Sequence, residues 1–121
     1  MSKNSDNYRT DKWLIDLFRS YYDPCPFKSD RDLLNENWAE HTKIGVYVNP
    51  PYSNPKPWII KAIQTKKTDQ NLNVVMLLKH DSSTEWFRLL HEHGAQFLMI
   101  NGRLKFNTGK SAPFPSVLVI L

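Results

Sequence analysis

Residues 43–52 read KIGVYVNPPY, and this stretch decides the architecture that we expect. Its first six residues are rich in β-branched and aromatic side chains, a composition typical of a short buried strand. Pro50 and Pro51 end that strand, because proline lacks the backbone N–H that a strand ladder needs. The next segment, Asn54-Pro55-Lys56-Pro57, leads into a helix predicted over residues 57–67, with proline in its first turn. The stretch therefore predicts a strand, a stiff corner and a helix in succession.

Strands and helices alternate along the rest of the chain. Apolar runs predict further strands over residues 73–78 (NVVMLL), 96–100 (QFLMI) and 116–121 (SVLVIL). Helices are predicted over residues 11–22 and from the capping box Ser82-Ser83-Thr84-Glu85 to Gly94. Such alternation is typical of an α/β domain, and continuous apolar runs indicate strands covered on both faces. We expect a compact, mainly parallel sheet flanked by helices.

The first predicted helix has one continuous apolar face. Six side chains are spaced as on one side of a helix, namely Trp13, Leu14, Leu17, Phe18, Tyr21 and Tyr22. Thr10 or Asp11 can cap this helix, and Pro24 stops it. Farther along, Asp32-Leu33-Leu34 predicts one helical turn, and Trp38 is expected to anchor this segment to the core.

The length and composition describe one globular domain. The chain has 121 residues, 40% of them hydrophobic and 23% charged, which excludes a disordered tail or a collagen-like chain. We expect a flexible segment over residues 1–9 and a single domain over residues 10–121, without a separate target-recognition domain. No apolar run can span a bilayer and the N-terminus lacks a signal-peptide core, so we expect a cytoplasmic protein. The formal net charge of +4 permits a polyanionic partner.

Neither the histidines nor the glycines indicate a metal or a phosphate loop. His91 and His93 would project about 200° apart on a helix, so they cannot share one ion. The four glycines at positions 45, 94, 102 and 109 are too far apart for a glycine-rich phosphate loop. Cys25 is the only cysteine, so no intrachain disulfide can form. We therefore expect no metal site.

The residues that follow the predicted strands are the candidates for function. Ligands of such sheets bind beyond the carboxyl ends of the strands, where this chain has Asn49–Tyr52, Lys79–Asp81 and Asn101–Arg103. Asn49-Pro50-Pro51-Tyr52 is the most informative, because chance would produce this string in roughly one in a few thousand chains of this length. The alternative interpretation is a rigid turn without a chemical role.

The Asn49 corner suits chemistry on an exocyclic amine. The lone pair of such an amine is delocalised into its ring, so a catalyst must favour a tetrahedral nitrogen. The Asn49 side-chain oxygen and the Pro50 carbonyl can accept the two amine hydrogens, and the prolines fix that carbonyl. Tyr52 offers a π-face on which an extruded base can stack. The predicted catalytic residues are therefore Asn49, Pro50, Pro51 and Tyr52.

The tetrapeptide resembles motif IV of amino methyltransferases that use S-adenosylmethionine. The wider sequence resembles the small phage-type DNA N6-adenine methyltransferases, the Dam-like family, over residues 8–121. The strings that carry the resemblance are TDKWL (10–14), DPC (23–25), DLL (32–34) with Trp38, NPPYS (49–53), Trp58 with KA (61–62), VMLL (75–78), WF (86–87), GRLKF (102–106) and SAPFPS (111–116). The last two distinguish this family from methyltransferases of glutamine and ribosomal RNA.

The resemblance implies a Rossmann-like methyltransferase fold with S-adenosylmethionine as the methyl donor. The donor-binding residues that it implies are Thr10, Asp23, Pro24, Cys25, Asp32, Leu33 and Asn49. Asp23-Pro24-Cys25 would meet the methionine part of the donor, just after a first strand, and Asp32-Leu33 would meet its adenosine part. Each acid also has a structural alternative, since Asp23 can cap a turn and Asp32 can cap a helix.

The substrate that the resemblance implies is an adenine flipped out of DNA. The expected DNA contacts are Ser53, Arg103, Lys105 and Lys110. Arg103 and Lys105 alternate with apolar residues, which puts both cations on one face, although a solvated surface has the same pattern. We also consider a homodimer in which one subunit helps to hold DNA. Two other functions stay open: methylation of RNA or a protein amide, and a catalytically idle relative that binds DNA or a protein.

Overall fold

The computed structural model describes residues 11–25, 33–102, 104 and 114–121. Its helices are α1 (Lys12–Leu17), α2 (Lys56–Thr68) and α3 (Glu85–Glu92), and short 3₁₀ turns span Leu33–Asn35 and Trp38–His41. Its strands are β1 (Gly45–Val48), β2 (Asn73–Lys79), β3 (Gln96–Met99) and β4 (Ser116–Ile120). No helix within these ranges is both long enough and apolar enough to cross a membrane.

The four strands form one mixed sheet in the order β1-β2-β4-β3. β1 and β2 are parallel, whereas β4 is antiparallel to both of its neighbours, with Leu118 opposite Leu77 on one side and Leu98 on the other. The expectation of a mainly parallel sheet is therefore not confirmed, because two of the three strand pairings are antiparallel. The apolar run of a buried strand reads the same in either direction, so periodicity alone does not reveal that β4 is reversed.

Burial of the strands explains their sequences. β1, β2 and β4 are buried along most of their length, as their continuous apolar runs predict, whereas β3 at the edge is largely exposed. One face of the sheet packs on α2 and α3, through residues that include Met76, Ile63 and Leu90. The opposite face packs on α1, through residues that include Leu77 and Leu14. The core therefore lies in two layers, one on each side of the sheet.

The first helix is shorter than predicted because Tyr22 belongs to the sheet. α1 ends at Leu17, and Tyr22 forms a parallel β-bridge with Val46 at the edge of β1 that faces away from β2. The Tyr22 N–H donates to the Gly45 carbonyl, and the Tyr47 N–H donates to the Tyr22 carbonyl, both at 2.9 Å. The pairing partner lies more than twenty positions away in sequence, so the local helical periodicity does not reveal it.

The predicted apolar face of α1 is only partly buried. Leu14 is completely buried, whereas Trp13 is 51% exposed and Leu17 is 61% exposed. Phe18 and Tyr21 pack against the cluster that contains Leu14. Fewer apolar side chains of α1 are therefore buried against the sheet than its sequence predicts.

The predicted capping box at the start of α3 does not form. α3 begins after Thr84, whose hydroxyl donates to the Asp81 carbonyl at 2.8 Å and makes no cap to the helix. The Glu85 carboxylate, which would close the box, instead pairs with Lys56 Nζ at 2.7 Å. Lys56 is the first residue of α2, so this ion pair connects the starts of the two helices. α2 itself starts and ends one residue beyond its predicted bounds.

Gly45→Ala tests the close contact that lets Tyr21 and Tyr22 approach β1. A Cβ atom at position 45 would lie 2.6 Å from Tyr21 Cε2 and 2.8 Å from the Asn73 carbonyl oxygen. Because such overpacking forces neighbours to shift, we expect a loss of about 1–3 kcal/mol in the free energy of unfolding, measured in urea. The loss should be smaller in a Tyr21→Ala background, and an unchanged unfolding free energy would contradict this close packing.

Candidate active site

Three chain segments leave the sheet at one edge. The Tyr22 bridge and β2 are both parallel to β1, so Asp23 follows Tyr22, Asn49 follows β1, and Lys79 ends β2 on the same side. β4 is reversed and begins there, with Ser116 opposite Lys79. We call this side, with the residues that follow Tyr22, β1 and β2, the carboxyl edge. Adjacent strands lie about 4.8 Å apart, and Asp23 is level with Tyr47, two residues before Asn49, so Asp23 and Asn49 are close enough to flank one ligand.

The corner after β1 holds a buried amide oxygen. The Asn49 Oδ1 atom is buried, and Pro50 is buried as well. The Asn54 N–H donates to the Pro51 carbonyl at 3.2 Å, which closes the corner into a turn. Two prolines in sequence restrict the backbone dihedrals here, so the Asn49 side chain and the Pro50 carbonyl start from a fixed frame.

Tyr52 is hydrogen-bonded to the Asn49 side chain. Burial raises the pKa of the Tyr52 phenol to about 12, and the hydrogen bond with Asn49 acts in the opposite direction. A bond that lowers this pKa stabilises the phenolate, so the Asn49 amide is the donor. The phenol is neutral at physiological pH and cannot act as a base there. Its roles are hydrogen bonding and stacking.

Phe114 adjoins Tyr52, and Lys79 adjoins Phe114 in turn; neither is among the catalytic, donor-binding or DNA-binding residues predicted from the sequence. The rings of Tyr52 and Phe114 meet edge to face, with centroids 4.5 Å apart at 72°. Lys79 Nζ lies 5.8 Å from the centroid of the Phe114 ring. Phe114 lies at the carboxyl edge because β4 is antiparallel to its neighbours. Phe114 could have been predicted as a site residue only if the direction of β4 had been known. Lys79 was recognised only as a residue that follows a strand.

Asp23 closes a tight turn directly after the Tyr22 bridge. Its Oδ1 accepts a hydrogen bond from the Cys25 N–H at 2.9 Å, so the turn-capping alternative holds at least in part. Although the residue is exposed, surrounding protein desolvates the carboxyl and raises its pKa, and the hydrogen bond from Cys25 opposes that rise. Pro24 is buried, and Cys25 packs against the core. The Cys25 side chain therefore serves in packing, and its backbone N–H holds the Asp23 carboxyl.

Leu33 lies in the first 3₁₀ turn and is buried. Its carbonyl accepts a hydrogen bond at 2.8 Å from Nε1 of Trp38, which is completely buried as predicted. The second 3₁₀ turn carries His41, whose ring stacks on Tyr22 with centroids 4.5 Å apart. His41 Nε2 also lies 3.1 Å from Glu36 Oε1. The segment around Leu33 is thereby held beside the Tyr22 bridge.

The other predicted site residues divide into two groups. Ser53 is exposed in the turn that follows Tyr52. Outside the described residues lie Thr10, Asp32, Arg103, Lys105 and Lys110. Of the predicted residues, the carboxyl edge therefore brings together Asp23, Pro24, Cys25 and the Asn49–Tyr52 corner.

Asp23→Asn tests the environment of the carboxyl at this edge. The amide keeps an oxygen for the Cys25 N–H but carries no charge. Folding raises the pKa of Asp23. The protonated carboxyl therefore stabilises the folded chain at pH values below the unfolded pKa, and this stabilisation is lost as the pH rises through the folded pKa. We therefore expect Asp23→Asn to raise the thermal unfolding midpoint at pH 7 relative to the wild type.

The pH dependence is the control for this prediction. At about pH 3 the carboxyl is largely protonated in both the folded and the unfolded chain, so the difference in midpoint should shrink. A midpoint that is lower in the variant at pH 7 but not at pH 3 would show that the charge itself stabilises the turn, which would contradict a desolvated carboxyl. Differential scanning calorimetry at the two pH values measures both quantities.

Comparison with known proteins identifies relatives across most of this chain. The family model described as DNA N-6-adenine-methyltransferase (Dam) matches residues 23–116. A DNA N-6-adenine-methyltransferase of Haemophilus phage HP1 (strain HP1c1) is 28% identical over 117 residues, which cover 85% of this chain and 67% of the relative. A DNA N-6-adenine-methyltransferase of Escherichia phage T1 is 31% identical over 78 residues, which cover 64% of this chain and 31% of the relative.

Among solved structures, the Type IIL restriction-modification enzyme MmeI in complex with DNA is similar over 89% of this chain and 20% of its own, with 14% identity and a TM-score of 0.44. The chain thus spans about two thirds of the HP1 relative and less than a third of the T1 relative. The match to the family model includes Asp23, the whole Asn49–Tyr52 corner and Lys79. The chain belongs to the Dam family of DNA N-6-adenine-methyltransferases, enzymes that methylate the N6 amine of adenine in DNA.

Proposed function

We propose that this chain binds S-adenosylmethionine at the carboxyl edge and transfers its methyl group to the N6 amine of an adenine everted from DNA. The observation that carries the proposal is the position of the Asn49 amide. Its buried oxygen lies at the end of β1, next to the strand end that bears Asp23. The Asn49 oxygen, which can accept hydrogen bonds from an amine, therefore lies beside Asp23, which can accept them from S-adenosylmethionine.

The Asp23 turn fits the donor by its chemistry. S-adenosylmethionine carries an ammonium group and ribose hydroxyls, and a carboxylate can accept several hydrogen bonds besides the one from Cys25. A cation beside Asp23 would also favour the ionised carboxyl, which the protein alone disfavours. We assign Asp23, Pro24 and Cys25 to the donor site. We assign Thr10, Asp32 and the buried Leu33 to it as well.

The Asn49 corner acts on the amine. When bound, S-adenosylmethionine supplies a methyl group on a cationic sulfur, and breaking that C–S bond leaves a neutral thioether. Asn49 Oδ1 and the Pro50 carbonyl accept the two amine hydrogens, which frees the nitrogen lone pair to form the new N–C bond. The methylated nitrogen then carries a positive charge until it loses a proton. Because an amide cannot take that proton as a carboxylate would, Asn49 positions the amine and water receives the proton.

Tyr52 and the substrate amine use different atoms of the Asn49 amide. In the chain without substrate, the Asn49 amide N–H donates to the Tyr52 phenol. An adenine amine at the corner donates to Asn49 Oδ1, the other polar atom of the same amide, while the Tyr52 ring stacks on the base. Stacking of a base on an aromatic side chain stabilises it by about 1–3 kcal/mol, which offsets part of the cost of unstacking it from the duplex.

DNA is the partner that we propose for the surface around this corner. Ser53 follows Tyr52 directly, and Arg103, Lys105 and Lys110 add positive charge to a chain whose formal net charge is +4. Such a charge favours binding to phosphates in a salt-dependent way.

A transfer assay with a labelled methyl group, run on DNA, RNA and protein, tests the proposal. We expect label in DNA at adenine N6, and label only in RNA or protein would contradict it.

Asn49→Ala should nearly abolish methyl transfer while leaving donor binding within a few-fold. Loss of one preorganised hydrogen-bonding group at a reacting centre costs about 10²–10³ in rate, and single-turnover transfer to DNA measures this loss. Asn54→Ala is the matched control, because Asn54 is exposed and its hydrogen bond to Pro51 uses the backbone N–H. Transfer at the wild-type rate in Asn49→Ala would remove Asn49 from the mechanism.

Tyr52→Ala should impair transfer more than Tyr52→Phe. The alanine variant loses the stacking surface, and a loss of about 1–3 kcal/mol corresponds to roughly 5- to 150-fold in kcat/KM. The phenylalanine variant keeps the ring and loses only the hydrogen bond to Asn49, so its kcat/KM should stay close to that of the wild type. If the two variants lose equal activity, the phenol and not the ring is the functional group.

A further inference from the structure

Lys79 is a cation on the same face of the sheet as the Asn49 corner. Side chains alternate along β2, and Val75 and Leu77 belong to the cluster on the α1 side. Lys79 continues this alternation as the last residue of β2. Asn49 follows Tyr47, which belongs to the same cluster, in the corresponding alternation along β1. Both side chains therefore emerge at the carboxyl edge on the α1 side.

Two ring contacts connect Lys79 to Tyr52. Lys79 Nζ lies 5.8 Å from the centroid of the Phe114 ring, which is within the range of a cation–π interaction. The Phe114 ring in turn meets the Tyr52 ring with centroids 4.5 Å apart. Lysine side chains lose considerable rotamer entropy when they bind, and the contact with Phe114 removes part of that freedom in advance. The ammonium group is thus held near the ring on which the base is proposed to stack.

Lys79 differs in its surroundings from cations on the helices of the opposite face. Lys56, at the start of α2, is paired with Glu85, and Arg88 on α3 is paired with Glu92. Within the described ranges, no carboxylate lies at ion-pair distance from Lys79 Nζ. The neighbouring Asp81 carboxylate accepts hydrogen bonds from the backbone and hydroxyl of Ser83. Lys79 therefore offers its charge to a ligand without first breaking an ion pair.

We propose that Lys79 binds a backbone phosphate that flanks the everted adenosine. This inference rests on the proposed function, because the phosphates of an everted nucleotide accompany its base to the rim of the pocket. A base stacked on Tyr52 carries those phosphates toward the neighbouring cation. An ammonium group suits a phosphate as a compact point charge with several donors.

The position of Lys79 favours DNA over the carboxylate of the donor as its anion. Asp23 follows the Tyr22 bridge on one side of β1, whereas Lys79 ends β2 on the other side. Two strand spacings, about 10 Å across the sheet, separate these positions, and Lys79 also lies four residues beyond Val75, the residue of β2 that is level with Asp23. The Lys79 ammonium and the proposed donor site therefore lie on opposite sides of Asn49. The base and its backbone approach from the Lys79 side.

The first test measures how DNA affinity depends on salt. The probe is a duplex with a sequence found methylated in cells that express the chain, and binding is followed by fluorescence anisotropy. Lys79→Gln should lower the slope of log affinity against log salt by about 0.9, the value for one lost phosphate contact, with an unchanged unfolding midpoint. Lys43→Gln is the matched control, since Lys43 is exposed and precedes β1 at the opposite end of that strand. An unchanged slope in Lys79→Gln would overturn the inference.

The second test identifies the phosphate. Replacing the phosphate 5′ or 3′ to the target adenosine by a neutral methylphosphonate should weaken wild-type binding at one position, and Lys79→Gln should be insensitive there. Equal sensitivity of both proteins at each position would overturn the inference. Donor affinity measured by calorimetry should be the same in both proteins, and a loss in Lys79→Gln would assign the cation to the donor instead. An absence of methyl transfer to DNA by the wild-type protein would refute the proposed function, independently of the result for Lys79.

Discussion

Two backbone hydrogen bonds determine where the site lies in this fold. They join the Tyr22 N–H to the Gly45 carbonyl and the Tyr47 N–H to the Tyr22 carbonyl, and they extend the sheet by one residue beyond β1. Because this bridge is parallel, Asp23 leaves the sheet beside Asn49 and not at the far end of the strand. Gly45 permits the close approach, since a Cβ atom there would collide with the Tyr21 ring. The proposed donor site and the proposed amine site are thereby brought together by a contact that involves no functional side chain.

The Asn49 amide, which we propose to bind the substrate, is already hydrogen-bonded to Tyr52 in the chain without substrate. Asn49 is bonded to the Tyr52 phenol, and the Tyr52 ring rests against Phe114. The bond from the Asn49 amide N–H to the phenol orients the amide, so the direction of its buried oxygen is set before a base arrives. Discrimination against other bases can come from whether a base donates hydrogen bonds both to this oxygen and to the Pro50 carbonyl. An amino group with two hydrogens meets that requirement.

The sequence predicts the strands, α2 and the Asn49 corner because each depends on local chemistry: apolar runs that strands bury, and prolines that restrict the backbone. It does not predict the direction of β4, the bridge at Tyr22 or the contact of Phe114 with Tyr52, because these depend on which distant segments pair. Tyr22 fits a helical face as well as a strand, and only the pairing with Val46 decides between them. Glu85 similarly fits a capping box until Lys56 from another helix provides a partner.

The proposed mechanism depends on the Asn49 oxygen and the Pro50 carbonyl receiving the two hydrogens of an everted adenine amine. A crystal structure of the chain with a duplex that carries its target adenine and an unreactive analogue of S-adenosylmethionine would show this arrangement. We expect adenine N6 within about 3.2 Å of both oxygen atoms, with the base stacked on Tyr52. An everted adenine whose amine points away from this corner would contradict the mechanism.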